Sequence, residues 1–466
     1  MKRFPDPRLE GAERLYSPAE IVRSGLCIGC GSCAAANPSA GMEWDKDGFL
    51  KPHGSREWYE APSEFISGSC PFSPGAANED AIAAERFPSA PAAHPAIGRF
   101  EGAYVGHAAE NPFRSSGSSG GLTSWVAAEL LRQGLVDAVA HVLPADPRST
   151  GRFFEYGFSR TPEELMRGAK SRYYPVELTR VLHEIRATPG RYAVVGIPCF
   201  IKAIHLLRRA DPVIRDRVTH ALGLFCGHMK SAAMVESFAW QLGTEFERVR
   251  ALDYRIKDES RPANWYRAHL ELEDGSSAAQ DWWHLADGDW GAGFFQNPAC
   301  NWCDDVVAET ADVSFGDAWV EPYSSDGRGT NVMIVRTKPL HRLVEQARAE
   351  GRLELEPVDA EFIVRTQAAG LRHRRDGLAY RLSWRKRGIV PLKRVAPSAG
   401  LTLRRKFVYR LRYSIARWSN PIFRLARRLR APGIYLTWAR AVLRIYQAVA
   451  WSRGWLGKAL DKIIPA

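Results

Sequence analysis

The most constraining feature of this 466-residue chain is a short stretch near its N-terminus that reads GLCIGCGSCAAANP, from Gly25 to Pro38. It contains three cysteines in C-x2-C-x2-C spacing, namely Cys27, Cys30 and Cys33. That spacing lets three thiolates converge on one iron–sulfur cube. The residues between them are small enough for the backbone to wrap such a cube, namely Gly29, Gly31 and Ser32. The stretch therefore predicts a metal centre.

A distant Cys-Pro pair is the predicted source of the fourth ligand. In bacterial ferredoxins the run continues with x3-C-P, and in two-cluster proteins that fourth cysteine ligates the other cluster. Here Asn37 and Pro38 stand at those positions, whereas Cys70-Pro71 lies further along. The chain thus looks like a two-cluster ferredoxin that has kept only the cluster of Cys27, Cys30, Cys33 and Cys70. A zinc site is the alternative, although zinc ribbons usually space their ligands more widely.

A second set of cysteines follows two predicted buried strands. The apolar runs YAVVGI and ALGLFC are joined by the helical segment FIKAIHLLRR, and cysteines follow them at Cys199 and Cys226. In such a βαβ unit the carboxyl ends of both strands share one edge of the sheet, where ligands bind. Cys300 and Cys303 complete a predicted second cluster. For Cys199 and Cys226 alone, the alternative is a pair of buried core cysteines.

Two further segments are candidates for holding an anionic cofactor. The first precedes an amphipathic helix and consists of Ser118, Ser119, Gly120 and Gly121. A loop of this kind presents free N–H groups to a phosphate, although Ser and Gly also simply cap helices. The second sets two cations beside aromatic residues and comprises Lys170, Ser171, Arg172 and Tyr173. A solvated surface loop is its alternative.

Composition divides the chain into three parts. Three prolines and several alanines mark residues 87–98 as a linker between an N-terminal domain, residues 1–86, and a body, residues 99–371. The eight cysteines, together with an N-terminus that has no apolar stretch typical of a secretory signal, favour a reducing, cytoplasmic setting. No run of 18 or more uncharged apolar residues predicts a transmembrane helix.

Residues 372–466 are predicted to form a basic helical tail, with Pro421 and Pro432 as breaks between helices. From Leu401 to Ala466 the chain has 15 lysines and arginines against one acidic residue, whereas its total net charge is only +12. In residues 434–450 a polar stripe with two arginines lies beside a broad apolar face. That pattern favours peripheral contact with the anionic inner face of a membrane over binding of nucleic acid. A helical cap packed on the body is the alternative.

Taken together, these pieces resemble the beta-subunit family of coenzyme F420 hydrogenases and dehydrogenases. That family includes 7-hydroxymethyl chlorophyll a reductase and bacterial proteins of polysaccharide loci. The matching motifs occur in the order CIGCGSC, Cys70-Pro71, SSGG, KSRYYPV, VGIPC, GLFC, CNWC and ADVSFGDAW. The resemblance implies a fold of mixed α+β and α/β class. It would have an N-terminal ferredoxin-like iron–sulfur domain, a mixed α/β flavin-binding body and a basic helical C-terminal tail.

The resemblance also implies an iron–sulfur flavoprotein oxidoreductase with two 4Fe-4S clusters and FAD. A ferredoxin or another donor protein would supply electrons, which would reach FAD and an unknown small or polysaccharide-linked substrate. By position, Ser118 to Gly121 and Lys170 to Tyr173 would help hold FAD near Cys199, in a pocket lined by the aromatic segment from Trp282 to Phe295. Phe200 stands where a polar residue is usual in the family, which leaves the substrate undefined. The alternative function is a non-catalytic iron–sulfur electron-transfer protein without flavin.

Overall fold

The computed structural model describes residues 14–385 and 388–463. Three of the sequence-based expectations fall partly outside these ranges. The N-terminus without a signal-like apolar stretch and the start of the first predicted domain lie in residues 1–13. The end of the predicted tail lies in residues 464–466.

The N-terminal residues form a small α+β unit. Its elements are α1 (Pro18–Arg23), α2 (Ser32–Ala35), β1 (Gly41–Trp44), β2 (Leu50–His53), α3 (Arg56–Glu60), α4 (Glu64–Ser69) and α5 (Glu79–Arg86). Strands β1 and β2 pair as an antiparallel hairpin whose turn contains Gly48 at φ +74°, as the Asp47-Gly48 pair predicts. Helix α1 begins with a capping box in which Ser17 and Glu20 each accept a hydrogen bond from the other's backbone N–H.

The N-terminal unit is packed directly against the rest of the chain. The predicted linker contains a second hairpin, β3 (Ala92–His94) and β4 (Gly98–Phe100), and Ile97 between these strands is fully buried. Across the contact, Lys202 and Glu79 form an ion pair of 3.1 Å with both side chains about nine-tenths buried. The position of the first predicted metal-binding stretch relative to the body is therefore fixed by buried contacts.

The body consists of strands and helices that alternate over most of its length. In chain order the elements are β5 (Gly102–Ala108), α6 (Phe113–Ser116), α7 (Leu122–Arg132), β6 (Ala138–Pro144), α8 (Pro147–Thr150), β7 (Phe154–Ser159), α9 (Pro162–Met166), α10 (Thr179–Ala187), β8 (Tyr192–Gly196), α11 (Pro198–Ala210), α12 (Pro212–Arg217), β9 (Val218–Leu224), α13 (Ala233–Gln241), β10 (Val249–Asp253), β11 (Arg267–Leu272), β12 (Ser277–Asp281), β13 (Val313–Asp317), β14 (Asn331–Val335), α14 (Lys338–Ala349), β15 (Leu353–Pro357), α15 (Ala360–Thr366), α16 (Ala368–Arg374) and α17 (Asp376–Trp384).

An eight-stranded mixed sheet lies at the centre of the body. Its strand order is β15-β5-β14-β13-β9-β8-β6-β7. The four strands β13, β9, β8 and β6 are parallel neighbours, and the outer strands add in antiparallel fashion. The predicted βαβ unit is confirmed, because β8 and β9 pair directly and in parallel. Successive residues of β8 enter opposite cores, Ala193 on the side of α7 and Val194 on the side of α11.

A separate three-stranded antiparallel sheet, in the order β10-β11-β12, extends from the body. The chain between β12 and β13 forms short 3-10 turns rather than long helices, at Trp282–His284, Trp290–Ala292 and Pro298–Trp302. These turns carry most of the aromatic segment and the last two cysteines to the edge of the main sheet.

The first part of the predicted tail, up to Trp384, belongs to the body, because α17 packs Leu378 and Leu382 into its core. The rest of the tail forms three helices, α18 (Leu403–Arg428), α19 (Pro432–Trp451) and α20 (Gly454–Ile463). Pro432 begins α19, as predicted, but the break predicted at Pro421 is wrong, since α18 continues through it. Proline removes one backbone hydrogen bond there. The next turn of the helix is stabilised by packing, because the fully buried ring of Phe423 stacks on Trp240 at 4.3 Å between centroids. No helix of the described residues is long and apolar enough to cross a membrane.

Candidate metal centres and cofactor site

The first four predicted thiols line one cavity in the N-terminal unit. The walls of this cavity are otherwise mostly apolar. The cysteines around it are Cys27, Cys30, Cys33 and Cys70. Burial raises the pKa of Cys30 to about 11 and that of Cys70 to about 12, and it raises the pKa of Cys33 well above its ordinary value. These thiols would therefore lose their protons only on binding a metal.

Two glycines allow the backbone to approach this cavity. Gly29 and Gly31 have φ of +85° and +80°, in the left-handed region that L side chains rarely adopt. A Cβ atom on Gly29 would lie 2.5 Å from the carbonyl oxygen of Leu50. Asn37, which replaces the fourth ferredoxin cysteine, accepts hydrogen bonds from Ser39 in a turn.

The second set of thiols is brought together at the carboxyl edge of the parallel strands. Cys199 lies in the first turn of α11, just after β8, and Cys226 follows β9 by two residues. The 3-10 turn Pro298–Trp302 contains Cys300, and Cys303 comes directly after it. All four line one cavity. Burial raises the pKa of Cys226 to about 12 and that of Cys300 to about 11.

Both cavities have the same donor set, four thiols that converge on one space. Within residues 14–385 and 388–463, no three His, Cys, Asp or Glu side chains are placed so as to hold a single metal ion. Four convergent thiols match the donor set of a 4Fe-4S cluster.

The side chain of Arg374 provides a further test of whether the second cavity fits an iron–sulfur cluster. Its side chain, 2% exposed, lines the second cavity. Its Nη2 donates hydrogen bonds to the carbonyl oxygens of Cys226 and Gly227, whereas its Nη1 has no partner among the described residues. Burial opposes the charged form, but the four thiol groups outweigh it and raise the pKa of Arg374. A buried cation with a spare donor fits an anionic cluster in this cavity.

A single layer of residues separates the two cavities. Ile28 lines both of them. Cys70 and Pro71 face the first cavity, and the next residue, Phe72, faces the second. The thiol of Cys30 is close enough to that of Cys199 to help raise the pKa of Cys199, after burial and the other three cysteines of the second cavity. The two thiol groups are therefore neighbours inside one protein core.

The two segments predicted to hold an anionic cofactor also lie together. The backbone N–H of Ser171 donates a hydrogen bond of 2.9 Å to the Oγ of Ser118. Gly121 caps α7 at φ +78°, and a Cβ atom there would lie 2.4 Å from the carbonyl oxygen of Phe113. Ser119 is buried, with its Oγ donating to the carbonyl oxygen of Thr330. Gly120 is equally enclosed, because a Cβ atom on it would lie 2.8 Å from the carbonyl oxygen of Gly106.

Two cations that the sequence analysis missed lie against this loop. Lys257 donates to the carbonyl oxygens of Ser119 and Arg114, and Arg255 donates to the carbonyl oxygen of Ser118. Burial, with Arg114 and Lys170 nearby, lowers the pKa of Lys257 to about 8. The feature of the sequence that could have identified these two cations is the alternation Arg255-x-Lys257 directly after β10. In an extended chain, residues two positions apart point to the same side.

Not every predicted residue reaches the loop. Lys170 forms an ion pair with Asp253 at 3.2 Å between its Nζ and the carboxylate. Arg172 lies over the ring of Phe154, with its guanidinium carbon 4.7 Å from the centroid. Tyr173 turns away to pack its ring on Trp290 at 4.6 Å between centroids.

Apart from the exposed Trp283, the aromatic residues of the segment form two groups. Trp282 and Trp290 surround Tyr173, and a Cβ atom on Gly227 would lie 2.4 Å from the Nε1 of Trp290. Trp290 thus lies beside the residue that follows Cys226. Phe294 and Phe295 are instead fully buried beneath the tail, against Trp438, Phe423 and Tyr435. Only the first group lies between the Ser/Gly loop and the second thiol group.

Two ionisable side chains accompany this aromatic group and were missed in the sequence. His228 is buried and stacks on Trp290 at 4.2 Å between centroids, and its Nε2 has no partner among the described residues. Lys230 lies 4.8 Å from the centroid of the same ring and donates to the carbonyl oxygen of Phe294. Burial lowers the pKa of Lys230 to about 7 and that of His228 well below its ordinary value.

Comparison with known proteins agrees with the order of the motifs. Residues 103–183 match the family model for the N-terminal part of the coenzyme F420 hydrogenase/dehydrogenase beta subunit, and residues 190–361 match the model for its C-terminal part. One subunit of the F(420)H(2) dehydrogenase of Methanosarcina mazei is 21% identical over 352 residues, which is 73% of this chain and 87% of that protein. A chain of the F420-reducing [NiFe] hydrogenase complex from Methanosarcina barkeri aligns with 17% identity and a TM-score of 0.48, over 63% of this chain and 95% of its own. The two family models together cover more than half of the sequence, so the chain belongs to the coenzyme F420 hydrogenase/dehydrogenase beta-subunit family.

Proposed function

We propose that this protein is an iron–sulfur flavoprotein oxidoreductase. It would take electrons from a ferredoxin-type donor and pass them through two 4Fe-4S clusters to FAD and an unidentified small or polysaccharide-linked substrate. Family membership supports an oxidoreductase role in electron transfer. The observation that carries the proposal is the pair of adjacent four-thiol cavities, of which the second lies beside an aromatic and cationic region.

The cysteines of each cavity would hold one cluster. Three of the four cysteines of the first cavity are partly accessible, namely Cys27, Cys33 and Cys70, whereas three of the four of the second cavity are buried, namely Cys199, Cys300 and Cys303. The first cavity is therefore the better entry point for single electrons from an external protein. Ile28 and Phe72 fill the space between the cavities and exclude water from it.

The residues around the Ser/Gly loop would hold the cofactor's phosphates. Lys257 and Arg255 place positive charge beside the N-terminus of α7, the end of a helix that favours an anion. Tyr173, two residues beyond Ser171, connects this loop to Trp290 and so to the segment after Cys226. Bound FAD would supply the conversion between one-electron and two-electron chemistry.

Flavin content provides the direct test of the enzymatic role. The full chain is purified anaerobically, and its flavin is released, identified and quantified before and after incubation with FAD. We expect about one FAD per chain, bleached when a reduced ferredoxin is added. A chain that binds iron but takes up no flavin would instead be a non-catalytic iron–sulfur electron-transfer protein.

A matched pair of variants shows where the flavin is held. Lys257→Gln removes a cation that contacts the Ser/Gly loop. Lys338→Gln removes a cation at the start of α14, away from that loop. We expect flavin loss in the first variant only. Equal flavin content in both would place the flavin elsewhere.

A further inference from the structure

The tail helices bury one side and expose the other. On the buried side, the rings of Phe423 and Tyr435 pack against Phe295, and the hydroxyl of Tyr435 donates to a carboxylate oxygen of Asp287. Tyr446 is 2% exposed. The alternative prediction, a helical cap packed on the body, thus describes the buried side of the tail. The other half is the exposed surface of α18, α19 and α20, which we call the tail face.

The tail face has an unusual share of large apolar side chains. Of the 17 such side chains exposed among the described residues, ten lie in this segment, which is less than a sixth of the chain. They are Leu403, Phe407, Trp418, Leu425, Leu429, Ile434, Ile445, Trp451, Trp455 and Ile463. Trp455 is 81% exposed and Trp451 61%, near the corner between α19 and α20. Exposed apolar side chains in such density mark an interaction surface.

Unpaired positive charge lies among these side chains. Nine exposed cations of the segment have no ion-pair partner in the part of the chain that the structure describes, namely Arg410, Arg417, Arg428, Arg430, Arg440, Arg444, Arg453, Lys458 and Lys462. The single acidic residue, Asp461, is half-buried and bonded to Arg404. The tail face is therefore cationic as well as apolar.

We propose that the tail face binds the surface of an anionic phospholipid membrane. Tryptophan and isoleucine side chains would enter the headgroup region, and the arginines and lysines would contact lipid phosphates. Tryptophan is favoured at this depth because its ring is apolar and its N–H is polar. The helices would lie on the surface, because none of the described helices can cross a membrane.

Other occupants fit the tail face less well. A second copy of the chain would bring two arrays of like charge together. Nucleic acid would satisfy the cations, but backbone phosphates offer nothing to exposed isoleucine and leucine side chains. An anionic lipid surface is complementary to both the charge and the apolar area. The inference does not depend on the redox function proposed above.

Sedimentation with lipid vesicles tests this proposal. The full chain, with its cofactors, is mixed with vesicles of phosphatidylcholine alone or of phosphatidylcholine with phosphatidylglycerol. We expect binding to the anionic vesicles only, weakening as salt rises. Equal binding to both vesicles, or binding to neither, overturns the proposal.

Matched variants locate the contact. The double variant Trp451→Ser with Trp455→Ser should weaken binding at least about tenfold, whereas Trp283→Ser, which removes a tryptophan that is 52% exposed on the body, should not. Arg440→Gln with Arg444→Gln should reduce both affinity and its salt dependence, and Arg→Lys at the same positions should restore them. Iron content and circular dichroism confirm that each variant is folded.

Two results would assign the tail face to another occupant and so reject the membrane. One is binding of DNA or RNA at low salt that the arginine variants abolish, with no vesicle binding. The other is a doubled solution mass that the tryptophan variants return to a monomer, again without binding to vesicles.

Discussion

The guanidinium of Arg374 donates a hydrogen bond of 3.0 Å to the carbonyl oxygen of Cys226, and both residues line the second thiol cavity. A buried positive charge beside a cluster stabilises its reduced, more negative form. We predict that Arg374→Gln lowers the reduction potential of the second cluster by on the order of 60 mV, a tenfold change for a one-electron couple.

A redox titration followed by electron paramagnetic resonance measures this shift. Arg374→Lys is the matched variant, because it keeps the charge but cannot donate to two carbonyl oxygens as a planar fork. The reduction potential of the second cluster in Arg374→Lys should therefore stay close to that of the wild type. An unchanged potential in Arg374→Gln, with iron content preserved, contradicts the role given to the charge.

The Lys257 side chain gives a prediction for pH. Its pKa in the free protein is about 8, lowered by burial and by neighbouring cations. A cofactor phosphate would favour the protonated form and raise that pKa. Affinity for FAD should therefore be full below about pH 8 and fall above it, by up to about tenfold per pH unit.

Titration of the flavin-free chain with FAD at several pH values checks this. In Lys257→Arg the charge no longer titrates in this range, so the fall should disappear. The same decline in both proteins would assign the titration to another group.

The positive-φ glycines near the first cavity predict a local effect on stability and iron. Gly29→Ala places a Cβ atom 2.5 Å from a backbone carbonyl oxygen at a φ of +85°. The φ alone costs about 1–2 kcal/mol, and the clash adds to this. We expect lower thermal stability and loss of about four irons per chain.

Gly68→Ala is the matched control. Gly68 lies within α4, and a Cβ atom there meets nothing within 4 Å. Because glycine inside a helix is less favourable than alanine by about 0.5–1 kcal/mol, this variant should be neutral or more stable. A fall in iron content in the control as large as that of Gly29→Ala would show that the loop conformation is not the cause.

Local patterns in the sequence predicted the two parallel strands β8 and β9 and the approach of the cysteines that follow them. The βαβ pattern placed Cys199 and Cys226 at one sheet edge, because parallel strands share that edge regardless of distant contacts. The hairpin turn at Gly48 was predicted from two residues alone, Asp47 and Gly48.

Residues whose role depends on distant contacts could not be predicted in this way. Arg374 was assigned to the tail because it lies in a basic run, yet α16 carries it to the second cavity. Lys257 reaches the Ser/Gly loop across more than 130 positions of sequence. The continuity of α18 through Pro421 depends on buried packing of Phe423, which outweighs local helix propensity.

The central claim is that two separate sets of four cysteines each hold a 4Fe-4S cluster. The most direct measurement is iron, acid-labile sulfide and zinc per chain after anaerobic purification, in the wild type and in Cys33→Ser and Cys303→Ser. Each variant serves as the control for the other. We predict about eight irons in the wild type and about four in each variant, without zinc. About four irons in the wild type that Cys303→Ser leaves unchanged would contradict the second cluster, and zinc in place of iron would contradict both.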